Sequence, residues 1–136
     1  MRYISEKIRK EVLQRAKKRC EYCLVLEVFL ATTFHIEHIR SVKHGGSNDI
    51  SNLAYACPHC NQNKGSDIAT FVDDNSDEII RLFNPRLDIW KEHFEHFEGQ
   101  IIGISQIGTA TSRLLDFNQV ERIILRKELF YANLYP

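Results

Sequence analysis

The sequence predicts an α+β protein, and three patterns carry that expectation. Apolar residues recur at helical spacing near the start, a branched and aromatic run follows, and helical patterns close the chain behind a glycine-centred hairpin. With 136 residues, 43% of them hydrophobic and 26% charged, the chain is long enough to bury a core as one soluble domain, 1–136.

The first element is an amphipathic helix over 5–18. Ser5 is its N-cap, Ile4, Ile8, Val12 and Ala16 form its apolar stripe, and Lys7, Lys10, Gln14 and Lys17 fall on the opposite face. The run "LVLEVFLATTFHIEHI" reads as two short strands. "KHGGSND" at 43–49 is a loop built of turn formers, and "ISNLAYA" is a strand or an extended approach to Cys57. A short helix starts at Pro58 and ends at Gly65.

Beyond Gly65, "DDNSDE" at 73–78 reads as an acidic loop or helix start. "NPRLDIWKEHFEHF" reads as a helix, followed by a hairpin around Gly99. Trp90, Phe94 and Phe97 are expected in the core. Of the two closing helices, the second should start at Asn118, with Glu121 completing a capping box.

Net charge is zero, yet the two halves differ. Residues 1–64 carry eleven Lys/Arg against six Asp/Glu, and residues 65–136 carry seven against twelve. Eight basic residues fall within the first 19. Such a local field suits a nucleic-acid phosphate backbone, with Lys7, Lys10 and Lys17 as the contact residues. The alternative is a solvated helix face. No apolar run nears the ~20 residues of a membrane span, and "MRYISEKIRK" lacks a signal-peptide core, so the expected location is cytoplasmic.

Thiols stay reduced there, which directs paired cysteines toward metal. Cys20 and Cys23 form one CxxC turn, Cys57 and Cys60 a second, and no cysteine is left over. Four thiolates satisfy tetrahedral Zn²⁺ and close its shell, so the site is structural. His59, inside the second turn, is the alternative ligand.

The run "HIEHIRSVKHGGSNDISNLAYACPHCNQNK" resembles an HNH endonuclease, the ββα-metal or His-Me finger family. The pattern is met by Glu37-His38-Ile39, Gly45-Gly46, Asn52-Leu53, the Cys57 to Cys60 turn, Asn61 and Lys64. Ser41 departs from it, since many relatives carry proline two or three residues after the histidine. The tail from Leu82 resembles the C-terminal part of a group of small stand-alone HNH proteins. The resemblance implies an HNH core about 18–66 with structural zinc, an N-terminal helix before it, and a hairpin-plus-helices extension about 67–136.

It also implies a metal-dependent DNA endonuclease. His38 would be the general base, an imidazole being suited to take water's proton near neutral pH. Glu37 and Asn61 would hold a catalytic Mg²⁺ or Mn²⁺ through oxygen. Asn52 would brace the loop, and Lys64 would either meet a phosphate or be a solvated surface lysine. His35, on the Glu37 face of a regular strand, is a packing or surface residue or a neighbour of that cation, and His44 is open between such roles. Strict alternation sends Glu37 and His38 to opposite faces, so the strand is expected to end or twist there. No small-molecule cofactor or membrane is implied, and cutting both strands with one site per chain would favour a homodimer. The competing reading is a non-catalytic Cys₄ zinc finger that binds nucleic acid or protein.

Overall fold

Ser5 opens the first helix. The structure is a computed structural model that describes residues 3–136. In it α1 spans Glu6–Ala16, and Ser5 Oγ accepts from the Ile8 N–H at 3.2 Å. Val12 is fully buried and Ile4 nearly so, whereas Lys7, Lys10, Gln14 and Lys17 face solvent. The helix stops at Lys17, whose left-handed backbone (φ 56°) turns its N–H back onto the Gln14 carbonyl.

Only one of the two strands expected between Leu24 and Ile39 forms. Residues Glu27–Phe29 make a 3₁₀ turn instead. The cause is Glu27, whose Oε2 accepts from the Phe34 N–H (2.8 Å) and the Tyr55 hydroxyl (2.6 Å), folding the segment back on itself. The second strand, β1, spans His35–His38 and pairs antiparallel with β2, Leu53–Ala56, in the register His35↔Ala56 to His38↔Leu53. α2 follows at Pro58–Lys64, with Pro58 in its first turn, Cys57 as N-cap and Gly65 at its end. Arg15 ties α1 to this layer, donating to the carbonyls of Ile50 (2.8 Å) and Leu53 (2.5 Å).

The chain divides into two compact units, the first ending at Asp67 and the second covering Ile68–Pro136. The second unit holds β3 (Ala69–Thr70) paired with β4 (Ile80–Arg81), and α3 (Trp90–His93). β5 (Phe94–Phe97) and β6 (Gln100–Gly103) form the hairpin, followed by α4 (Gln106–Leu114) and α5 (Val120–Tyr131). Residues 73–78 are a loop. Phe94 centres the core, its ring 5.3 Å from Phe83 and 5.6 Å from Phe117. α4 packs closely because Gly108 lacks a side chain: a Cβ there would stand 1.9 Å from the His93 carbonyl oxygen.

Three expectations for this unit change. The helix over 84–97 shrinks to four residues, because from Phe94 onward the residues pair across the hairpin, Phe94 with Gly103 and His96 with Ile101. Phe97 is 63% exposed, not core. Asn118 does not cap α5: its amide holds both the N–H and the carbonyl of Ile101 at 2.9 Å, and α5 starts after Gln119 without a side-chain cap. The α+β class stands. Among the described residues no helix is long and apolar enough to cross a membrane.

Candidate metal and catalytic centre

The four cysteines converge beside the β1–β2 hairpin. Cys20, Cys23, Cys57 and Cys60 are all buried, and their sulfurs lie within 4.8 Å of one another. Cys23 and Cys57 Sγ are 3.8 Å apart. Tetrahedral zinc with Zn–S bonds of about 2.3 Å requires sulfur edges of about 3.8 Å, so the cluster fits the ion. Each CxxC turn is closed by its own N–H···S contact, Cys23 N to Cys20 Sγ at 3.5 Å and Cys60 N to Cys57 Sγ at 3.4 Å. Burial pushes the Cys20 and Cys60 thiols well up, while a hydrogen bond from Cys20 draws Cys57 down. Thiolates in so dry a place need a cation to neutralise them. His59 is not part of the cluster.

Glu37 points from β1 into the interior and is 4% exposed. Its Oε2 accepts from the Tyr22 hydroxyl at 2.7 Å, and its Oε1 lies 2.5 Å from the Lys64 ammonium. Burial pushes the Glu37 carboxyl up, against the downward pull of Lys64 and Tyr22. Lys64 is itself 1% exposed, and it donates to the backbone carbonyls of Ile39 (2.9 Å) and His38 (3.2 Å). The expectation of a phosphate contact at Lys64 is therefore corrected. One turn beyond Asn61 on α2, its side chain runs under β1 instead of out to solvent.

His38 takes the other direction. β1 stays regular through His38, which pairs with Leu53, so the strand does not turn Glu37 and His38 to one side, and the half-buried imidazole turns toward the 43–49 loop. Its Nε2 lies 2.7 Å from Asn48 Oδ1. Asn52 holds that loop with three backbone bonds, accepting from Arg40 N–H (2.9 Å) and donating to the carbonyls of Arg40 (3.0 Å) and Ser47 (2.8 Å). Gly46 is obligatory in this turn, since a Cβ would fall 1.7 Å from the Arg40 carbonyl oxygen. Ser41, at the departure from the family pattern, starts the turn: its backbone carbonyl accepts from the N–H groups of His44 and Gly46, both at 2.9 Å.

Asn61 is half-buried near the start of α2, and its side-chain amide has no hydrogen-bond partner among the described residues. Carboxylate and amide oxygens suit Mg²⁺ or Mn²⁺ in kind. Their arrangement here does not. Both Glu37 oxygens are engaged, and an ammonium faces the one a cation would take. Lys7, Lys10 and Lys17 are exposed on α1, and His35 and His44 are exposed as well. Tyr22 and Asn48 carry no signal in the sequence. Nothing in a CxxC turn marks its inner tyrosine, and Asn48 reads only as a turn former.

Residues 20–67 match the family model described as HNH endonuclease. That segment is an HNH domain. No curated protein and no solved structure matches the chain. The HNH segment takes in both CxxC turns, β1, the Gly-Gly loop, β2 and α2, and it points to nuclease-type function.

Proposed function

We propose that the protein is an endonuclease hydrolysing phosphodiester bonds in DNA, with His38 as general base. The observation that carries this reading is the His38 ring. It is half-buried at the end of a strand inside the HNH segment, engaged through Nε2, and its other nitrogen has no partner among the described residues. That nitrogen is available to take a proton from water as it attacks phosphorus, while the 3′ oxygen leaves. Asn52 serves as the loop brace. The exposed Lys7, Lys10 and Lys17 supply phosphate contacts, and Lys64 keeps the base's backbone in place.

A divalent cation, Mg²⁺ or Mn²⁺, belongs to this reading on chemical grounds: when bound it would neutralise the leaving oxygen. Asn61 offers the open oxygen. Glu37 stays in its pair with Lys64, with its other oxygen on Tyr22, and offers the cation no free oxygen.

Plasmid nicking tests the reading. Wild type with Mg²⁺ or Mn²⁺ should relax supercoiled DNA, EDTA should stop it, and His38→Ala should slow it by ~10²–10⁴-fold. Undiminished nicking by His38→Ala would remove the base. The closed Glu37–Lys64 pair favours a second reading, a zinc-stapled module that binds nucleic acid without cutting. Zinc-loaded wild type that binds DNA and cuts none of it under any cation would select that one.

A further inference from the structure

We propose that Asn48 is the positioning residue of His38, its carboxamide deciding which ring nitrogen carries the proton. The inference rests on the reading of His38 as base.

The orientation of the amide follows from its two neighbours. On one side lies the Tyr3 backbone carbonyl, which can only accept, and Asn48 Nδ2 donates to it at 2.9 Å. The oxygen of the same amide is thereby directed at His38, 2.7 Å from Nε2. An amide oxygen can only accept, so Nε2 must carry the hydrogen. In a neutral imidazole the other nitrogen, Nδ1, then holds the lone pair. The base nitrogen is thus chosen through two successive hydrogen bonds, by a backbone carbonyl near the start of the chain.

Asn48 can do this because its backbone is fixed on both sides. Asn52 donates from its side chain to the Ser47 carbonyl at 2.8 Å and from its backbone to the Asp49 carbonyl at 2.7 Å. The Asp49 N–H bonds Ser47 Oγ at 3.2 Å. Two asparagines thus share the work: Asn52 holds the loop, and Asn48 carries that rigidity to the ring.

A merely structural Asn48 would tie the Tyr3 segment to the loop and leave the ring free, and that difference is measurable. In ¹⁵N-labelled wild-type protein, zinc-loaded and at a pH where the ring is neutral, NMR should show the ring proton on Nε2, slowed in exchange. Asn48→Ala should lose that protected resonance. Asn48→Asp, which keeps an acceptor but no donor for Tyr3, should retain it. In nicking assays kcat should fall roughly 10- to 100-fold in Asn48→Ala, the scale for losing a partner that orients a functional histidine. KM should change little, and Asn48→Asp should recover part of the rate. A proton on Nδ1 in wild type overturns the proposal without any variant, and so does an unchanged Nε2 proton in folded Asn48→Ala. If wild type cuts no DNA, the nuclease reading fails, and the NMR arm still decides what Asn48 does.

Discussion

Lys64 Nζ stands 2.5 Å from Glu37 Oε1, with 2% and 4% of the two side chains reached by water. Two ions so fully removed from solvent recover their desolvation only through close mutual contact and further polar partners. Here those partners are Tyr22 on the acid and two β1-end carbonyls under the base. α2 is consequently pinned at both ends. Cys57 and Cys60 hold its start to the zinc site, and Lys64 holds its end beneath His38.

Removing one partner of this pair should be expensive. Lys64→Met or Glu37→Gln should each destabilise the first unit by about 3–5 kcal/mol, because a buried charge or its polar partners are stranded. The double variant should cost well below the sum. Urea unfolding of all four proteins closes the cycle, and simple additivity would show that the two residues act independently.

The zinc site and Asn61 should separate cleanly. Structural zinc contributes ~10–16 kcal/mol of apparent binding energy in small domains at pH 7, and that energy is folding energy. Cys57→Ser should therefore unfold or strongly loosen the first unit. Asn61→Ala, whose amide supports no other group, should remain folded with about one zinc per chain by elemental analysis, yet nick poorly. Loss of zinc from Asn61→Ala would mean the helix start and the metal are one site.

The contrast between these residues shows what can be read from the chain. The CxxC pairs and the Glu-His-Ile to Asn-Leu spacing are local signals, and they place the zinc ligands, β1, β2, α2 and the loop brace. Lys64 escapes such signals because its spacing reports only which helix face it occupies, not that β1 lies over that face. Glu27 and Asn118 escape them for the same reason. Each commits its side chain to groups outside its own element, Glu27 to the Phe34 N–H and the Tyr55 hydroxyl, Asn118 to the Ile101 backbone, where local pattern implies strand and cap. Asn48 lies in plain view within "GGSND", but its importance comes from Tyr3, 45 residues away.

Basic residues of α1 divide by the same logic. Arg15 is committed to the Ile50 and Leu53 carbonyls, so Arg15→Gln should lower stability by roughly 1–3 kcal/mol, the scale for hydrogen bonds from a charged group. Lys7, Lys10 and Lys17 are exposed and can meet phosphate. Replacing all three by Gln should leave urea unfolding nearly unchanged while lowering affinity for any DNA sequence. The slope of log K against log salt should flatten by up to about 3, roughly 0.9 for each phosphate no longer neutralised. An unchanged slope would return this face to plain solvation.

His96 should make the second unit sensitive to mild acid. Its Nε2 accepts from the Gly99 N–H at 2.9 Å, and its ring packs against Phe130 and Tyr135. Partial burial holds its pKa below the ordinary 6.5, the nearby Arg126 charge adds to the effect, and Glu98 opposes it. A histidine whose folded pKa is depressed binds protons more readily when unfolded. Its contribution is therefore complete above about pH 6.5 and is lost as pH falls from there through the lower folded value. Protonation would also cost the Gly99 hydrogen bond, since the imidazolium has no lone pair to offer. Urea unfolding followed by Trp90, the single tryptophan of the chain and a neighbour of Phe94 at 5.0 Å, reports on this unit. Wild type should weaken steadily between about pH 7 and pH 5. His96→Gln keeps an acceptor for Gly99 and removes the titration, so the difference between the two curves isolates this residue from the other histidines. Parallel curves would show that His96 carries none of the acid sensitivity.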